Sequence, residues 1–479
     1  MQWLTSHLGA TALTVLSVAW GAYILVLGGW IVMQRREPVA TLAWLLSLSL
    51  LPIVGFGVYY FFGPQRLNKQ RLKRMRSRAE AYTSDERRQL EERAADMPPQ
   101  IAQLARLGRA ACGLPVSTAH EVKFISGGSA TFDAICADIA AVRDHVHLEY
   151  YIFEPDATGT RVRDLLVRKA REGVMVRVLA DALGSKRLTR RFMAPLIEAG
   201  GQFAFFHDTR IGRRLRPVTN YRTHRKIVVC DGRVGYTGGV NITDEEDERR
   251  HADAYHDAHL RIEGPAVRWL QTTFVEDWTY AAGPITTPFA RLVPPMTTGA
   301  VPVQIVTSGP DTLAETIHRM HVEAIQDATE RVWLTTPYFV PGPAALMALT
   351  NAALRGVDVR LMVPRRSDSL IVSACARSYY DELMTAGVKI WEYKARMLHS
   401  KTLVVDDQCA MIGTANFDLR SFRLNFEVMA VVYGPTLALE LSRQFEADLR
   451  QCAQVSPRKK PRFPQRLGDS VARVFSPLL

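Results

Sequence analysis

Two stretches of the chain carry residues able to do chemistry. The first is Thr223-His224-Arg225-Lys226-Ile227-Val228-Val229-Cys230-Asp231, followed after six residues by Gly238-Gly239-Val240-Asn241. The second, Leu398-His399-Ser400-Lys401-Thr402-Leu403-Val404-Val405-Asp406, is followed after the same gap by Gly413-Thr414-Ala415-Asn416. Repetition of one pattern of His, Lys, Asp and Asn is far more informative than either copy alone.

Each copy sets an imidazole and an ammonium two residues apart where an apolar β run begins, so both are expected on one face. Imidazoles titrate near neutrality and can serve as nucleophile and as general acid and base. Lys226, Lys401, Asn241 and Asn416 are suited to charge on phosphoryl oxygens. Two copies brought face to face would surround one anion. No carboxylates or thiols are spaced to hold a catalytic cation, so the chemistry expected is phosphoryl transfer with no metal and no cofactor.

A nucleophilic His also needs a partner for its other ring nitrogen. Asp257 lies 33 residues after His224 and Glu427 lies 28 after His399, each opening an apolar strand that can return beside the motif. Asp231 and Asp406 complete the motifs and count with the catalytic set. Their place at the hairpin end also suits a turn-holding role, and Asp231-Gly232 reads as a tight turn. His251, His256 and His259 cluster without the Cys or carboxylate spacing of a metal site.

The elements that must position these groups repeat as well. An aromatic strand (146–153), a helix (159–172), a buried strand (174–181), a helix (188–199) and a strand (202–206) lead to the first motif. A strand (332–340), a helix (343–355), a strand (356–364), a helix (370–385) and a strand (388–393) lead to the second. The period of 175 residues is too long for a solenoid and predicts a duplicated α/β domain, its two copies facing each other across one site. The domains are placed at 101–290 and 291–455, the boundary lying in a stretch rich in turn formers.

Outside the repeat, residues 8–34 and 39–65 carry no charged side chain, and each run exceeds the roughly 20 residues that cross a bilayer. Residues 1–64 therefore read as a transmembrane helical hairpin rather than a removable signal. Seven positive charges within 66–78 place that segment, and the catalytic domains after it, on the cytoplasmic side. Residues 65–100 read as a basic and polar linker, and 456–479 as a basic amphipathic tail with Leu467, Val471, Val474 and Phe475 on one stripe. The net charge of +12 is concentrated beside the hairpin and in the tail, which favours anionic lipid over nucleic acid as partner. Six cysteines without C-x-x-C spacing suit reduced thiols.

At these residues the chain resembles the phospholipase D superfamily, whose hallmark is the duplicated H-x-K-x4-D motif. Ala180–Ser185, Asn220–Lys226, Ser308–Asp311, Thr336–Pro341, Met397–Lys401, Asn416–Ser421 and Ser476–Leu479, with the two N-terminal apolar runs, resemble the bacterial cardiolipin synthases within it, over essentially the whole chain. The resemblance implies two phospholipase-D-like α/β/α domains and a multi-pass protein of the bacterial inner membrane. It implies transfer of a phosphatidyl group from one phosphatidylglycerol to another, giving cardiolipin and glycerol, with His224 as the nucleophile that forms a phosphohistidine and His399 as acid and base. It also implies that carboxylates orient the histidines, in line with Asp257 and Glu427. Thr414 stands where the family usually has Ser and keeps the hydroxyl for substrate phosphate. Tyr255-His256-Asp257 replaces a more usual Trp-Arg-Asp. The alternatives are a phospholipase D hydrolase or other phosphatidyltransferase with the same site, a nuclease, and a lipid-binding scaffold. Oligomeric state is not encoded in any of these features.

Overall fold

The computed structural model describes residues 10–33, 38–51, 55–56, 59, 97–207, 221–312, 314–456 and 463–476. The basic segment 66–78, nearly all of the linker, Asn220, the run 457–462 and the terminal residues 477–479 lie outside the described residues.

The N-terminal unit contains α1 (Ala10–Val32) and α2 (Pro38–Leu50). They meet through Ile31, Leu48 and Tyr59, with the Trp44 and Tyr59 rings edge to face at 5.0 Å. Val15, Val18, Leu25, Leu42 and Leu46 point outward. Among the described residues no helix qualifies as long and apolar enough to cross a membrane. The predicted pair of spanning helices is therefore not established: α2, at 13 residues, is ~20 Å long against ~30 Å of hydrocarbon. The nearest approach is α1, 23 residues without a charged side chain.

The second unit holds the repeat. Its strands are β1 (Ser117–Ala119), β2 (Glu121–Ser126), β3 (His145–Tyr150), β4 (Met175–Asp181), β5 (Gln202–Phe206), β6 (Ile227–Cys230), β7 (Val234–Gly238) and β8 (Ala258–Glu263). There follow β9 (Val301–Ser308), β10 (Arg331–Thr335), β11 (Phe339–Val340), β12 (Asp358–Pro364), β13 (Lys389–Tyr393), β14 (Thr402–Val405), β15 (Cys409–Gly413), β16 (Phe417–Asp418), β17 (Glu427–Tyr433) and β18 (Cys452–Gln454). The first lobe's sheet runs β2-β8-β7-β6-β3-β4-β5, and the second contains the matching order β9-β17-β15-β14-β10-β12-β13. In both, three strands are parallel and the motif strand begins an antiparallel run, β3 against β6 and β10 against β14. The predicted strand 332–340 is broken at Pro337 into β10 and β11, and the predicted helix 370–385 is two helices, Leu370–Arg377 and Tyr380–Thr385.

The lobe boundary is less simple than a cut at residue 290. Strand β1 pairs antiparallel with β9 of the second sheet, and Gln304 Nε2 donates to the carbonyls of Ala105 and Leu114. The segment 101–119, expected in the first domain, thus packs with the second sheet. Buried Ile227, Val229 and Leu260 share one apolar core with Ile305, Met411 and Val428, so the two lobes are welded rather than hinged.

Candidate active site

The two motifs are joined by short parallel bridges. Thr223 bridges Phe426, with His224 N–H donating to the Phe426 carbonyl at 2.9 Å and Phe426 N–H to that of Arg222 at 2.8 Å. Its counterpart is Leu398 with His256, where His399 N–H donates to the His256 carbonyl and His256 N–H to that of Met397, both at 2.8 Å. Each bridge ends one residue before a carboxylate. His224 Nδ1 therefore meets Glu427 at 3.0 Å, and His399 Nδ1 meets Asp257 at 2.5 Å. Both carboxylates expected from spacing are brought to the histidines, but crosswise: each serves the other lobe's His, not its own. That crossing follows from the interlobe bridges, which no within-repeat spacing reveals.

Side chains between His and Lys reinforce the crossing. Arg225, fully buried, donates from Nε to the Glu427 carbonyl at 3.2 Å and pairs with Asp277, while Ser400 Oγ donates to the His256 carbonyl at 3.2 Å. Lys226 and Lys401 lie just ahead of β6 and β14 rather than within them, and each Nζ donates to the carbonyl of its own motif His. The Tyr151 ring packs edge-on to His224 at 4.9 Å and lies 5.5 Å from Lys226 Nζ. None of these neighbours is visible in the motif pattern.

Burial dominates the electrostatics. It pushes His224 down to about 4 against the opposing charge of Glu427, so this imidazole is neutral at pH 7. Burial, with Lys401 beside it, also lowers His399, while Asp257 works the other way. Burial and the neighbouring Lys401 bring Lys226 down to about 7, ready to gain charge when an anion arrives. Burial would raise Glu427, but His224, Lys226 and the Thr414 hydroxyl outweigh it and hold the carboxyl below its usual range. Lys401 and His399 do the same for Asp257.

Sequence reasoning missed Glu246. Its Oε1 accepts from the backbone N–H and the side-chain Nδ2 of Asn241, both at 3.1 Å, and lies 3.7 Å from His399 Nδ1. Its Oε2 is buried with no hydrogen-bond partner among the described residues. Burial and the charge of Asp257 raise it to about 8, so it holds a proton at neutral pH. The available signal was its place five residues after Asn241. Glu246, Asp257 and His399 present atoms within 4.8 Å of one another, a grouping able to hold a cation that linear spacing did not foretell. Lys401 Nζ lies 3.9 Å from Asp257 at the same place.

Four expected residues are placed differently. Asp231, at φ 51°, accepts backbone N–H bonds from Arg143, Asp144 and His145 at 2.8–2.9 Å; Asp406, at φ 50°, does so from Thr329, Glu330 and Arg331 at 2.9–3.1 Å. Both sit at the far ends of β6 and β14, tying turn to sheet, and are not brought to the histidines. Thr414, fully buried, donates to Glu427 Oε2 at 2.5 Å and accepts from Val428 N–H, so its hydroxyl orients a carboxylate rather than facing phosphate. The Asn241 amide is engaged by Glu246 and by Ile152 N–H, whereas Asn416 Oδ1 is buried with no partner among the described residues. His251 is exposed, His256 bonds Asp448 at 2.9 Å, and His259 is buried beside Tyr236, so the three do not converge.

Duplicated sheets with crossed His–carboxylate pairs define a phospholipase-D-like protein. The family described as "Cardiolipin synthase, PLD-like domain" matches residues 135–278 and 321–449, and "Phospholipase_D-nuclease N-terminal" matches 20–64. A cardiolipin synthase of Geobacillus kaustophilus is 40% identical, covering 93% of this chain and 90% of its own. Cardiolipin synthase 1 of Bacillus anthracis is 37% identical over 97% and 94%. The phosphatidylserine synthase structure from Haemophilus influenzae shares the fold at a TM-score of 0.61 and 14% identity, covering 79% of this chain and all of its own. The chain belongs to the cardiolipin synthase family and is a phosphatidyltransferase.

Proposed function

We propose that the chain makes cardiolipin from two molecules of phosphatidylglycerol by double displacement. His224 Nε2 attacks phosphorus of the first lipid; the bond from phosphorus to the glycerol headgroup oxygen breaks, and protonated His399 gives that oxygen its proton as glycerol leaves. The phosphohistidine is then attacked by the free hydroxyl of a second phosphatidylglycerol. His399 takes the hydroxyl proton, and the bond from phosphorus to His224 breaks. Lys226, Lys401 and Asn416 meet the charge on the phosphoryl oxygens.

The observation that carries this reading is the pair of crossed contacts, His224 with Glu427 and His399 with Asp257. The two ends differ in their neighbours. His224 has one carboxylate, already bonded by Thr414, and a neutral ring suited to attack. His399 faces Asp257, whose charge works against the burial that lowers this ring, and the Glu246 carboxyl lies 3.7 Å from its Nδ1.

The N-terminal unit is read as the membrane anchor, with α1 and the uncharged run 39–65 in the bilayer and the 66–78 cations on the cytoplasmic face. This makes the protein a multi-pass one of the bacterial inner membrane with its catalytic lobes in the cytoplasm.

The test uses the purified full chain in vesicles containing phosphatidylglycerol labelled in its phosphatidyl group. Wild type should release glycerol and form cardiolipin, and His224→Ala and His399→Ala should each lose about 10³-fold or more. Labelled, acid-labile protein should accumulate in His399→Ala alone. Label retained by His224→Ala instead would reverse the roles, and phosphatidic acid without cardiolipin would make water the acceptor.

A further inference from the structure

The C-terminal helix, Phe463–Val474, is seated the wrong way round for a soluble protein. At 100° per residue Phe463, Leu467, Val471 and Val474 fall on one stripe, and they are 50–76% exposed. The opposite face holds the helix to the body: Asp469 pairs with Arg377 at 2.8 Å, Ala472 is buried, and the Arg473 guanidinium lies 4.3 Å over the Tyr379 ring. Burial of apolar surface would normally turn such a helix over. The helix it packs against, Leu370–Arg377, also leaves Leu370 and Ile371 exposed. Cations adjoin it: Arg466 lies beside the stripe, and Arg458, Lys459, Lys460 and Arg462 immediately precede the helix in sequence.

We infer that Phe463–Val474, with the start of Leu370–Arg377, is a docking surface for an anionic lipid bilayer. The stripe enters the boundary between headgroups and acyl chains while the adjoining cations meet lipid phosphates. A second copy of this chain would need a complementary acidic rim around an apolar groove; the stripe itself is bordered by arginine. The inference rests on the reading above that the substrates are membrane lipids, and it adds a second attachment that would hold the catalytic lobes at the surface where those lipids lie.

The test places an environment-sensitive fluorophore at Leu467→Cys or Val474→Cys in the full chain in phosphatidylglycerol vesicles, with labelled wild type correcting for native cysteines and Gln465→Cys as the control on the docked side. Emission at 467 and 474 should shift to the blue and be quenched by brominated lipid, independently of protein density, and Gln465→Cys should show neither. Water-like emission at 467 and 474 while cardiolipin is still made would overturn the docking surface alone. A shift that grows with protein density would replace the bilayer by a second copy. In parallel, Leu467→Ser with Val471→Ser and Val474→Ser should raise the surface KM ~3–10-fold at unchanged kcat. An unchanged KM would also overturn the inference. Failure of unaltered chain to make cardiolipin would instead sink the functional reading.

Discussion

The two lobes share strand order and motif, yet they differ at three matched positions around their histidines. Where the first lobe has Arg225, Gly239 and Glu246, the second has Ser400, Thr414 and Ser421. Glu246 Oε1 and Ser421 Oγ do the same local work, accepting the backbone N–H of Asn241 and Asn416 at 3.1 and 3.2 Å. Only Glu246 also brings an ionisable group to the opposing His. Duplication supplied a symmetric frame, and a few polar substitutions gave its two imidazoles different neighbours.

The crossing itself gives the largest predicted effect. Asp257→Asn and Glu427→Gln should each lower kcat ~10²–10⁴-fold, because a neutral amide neither stabilises an imidazolium nor selects the working tautomer. They should fail at different steps. Asp257→Asn cripples His399 and should leave labelled phosphoenzyme, whereas Glu427→Gln cripples His224 and should leave none. The reverse pattern would mean that each carboxylate serves the lobe it comes from.

The sequence exposed both histidines, both lysines, both orienting carboxylates and the repeat, because these reside in local strings and regular periods. It could not expose the exchange of carboxylates, which depends on two bridges between residues about 140 to 200 positions apart. Glu246 escaped for a related reason: its Asn241 contact is local, but its significance comes from Asp257 and His399 folding onto it. Thr414 is expected at phosphate because it keeps the hydroxyl of the Ser usual in the family the chain resembles; only the return of β17 shows that Glu427 claims it. The turn role weighed for Asp231 and Asp406 rested on local hairpin chemistry and matches where they sit.

Glu246→Gln sharpens the asymmetry at intermediate scale. The folded carboxyl is raised to about 8, so between about pH 4.5 and 8 the native state keeps a proton that the unfolded chain releases. Stability from this site is therefore present at low pH and is lost as pH rises to 8. The substituted amide cannot ionise, and it keeps the acceptor oxygen for Asn241. The variant's Tm should accordingly pull ahead of wild type as pH climbs through this window, by ~1–3 °C above pH 8. Near pH 7 its kcat should stay within about threefold of wild type, since Glu246 is then already neutral, and the pH–rate profiles should part only on the alkaline side. Superimposable profiles from pH 6 to 10 would remove Glu246 from the proton balance at His399.

The smallest effect concerns Thr414 and its counterpart Gly239. Thr414→Val deletes the hydroxyl that donates to Glu427 and accepts from Val428 N–H, and should lower kcat ~3–10-fold by freeing the carboxylate to draw a proton onto His224. Thr414→Ser restores both bonds and should stay within about twofold of wild type. Equal losses in the two variants would point to the methyl group, and hence packing, as the feature that matters. The first lobe cannot adopt the same device: a Cβ at Gly239 would collide with Asp257 Oδ1, so any side chain there would displace the carboxylate that His399 needs. A hydroxyl restrains the carboxylate on the His224 side, and close backbone contact excludes one on the His399 side, so the inequality of the two histidines is built into the backbone beside them.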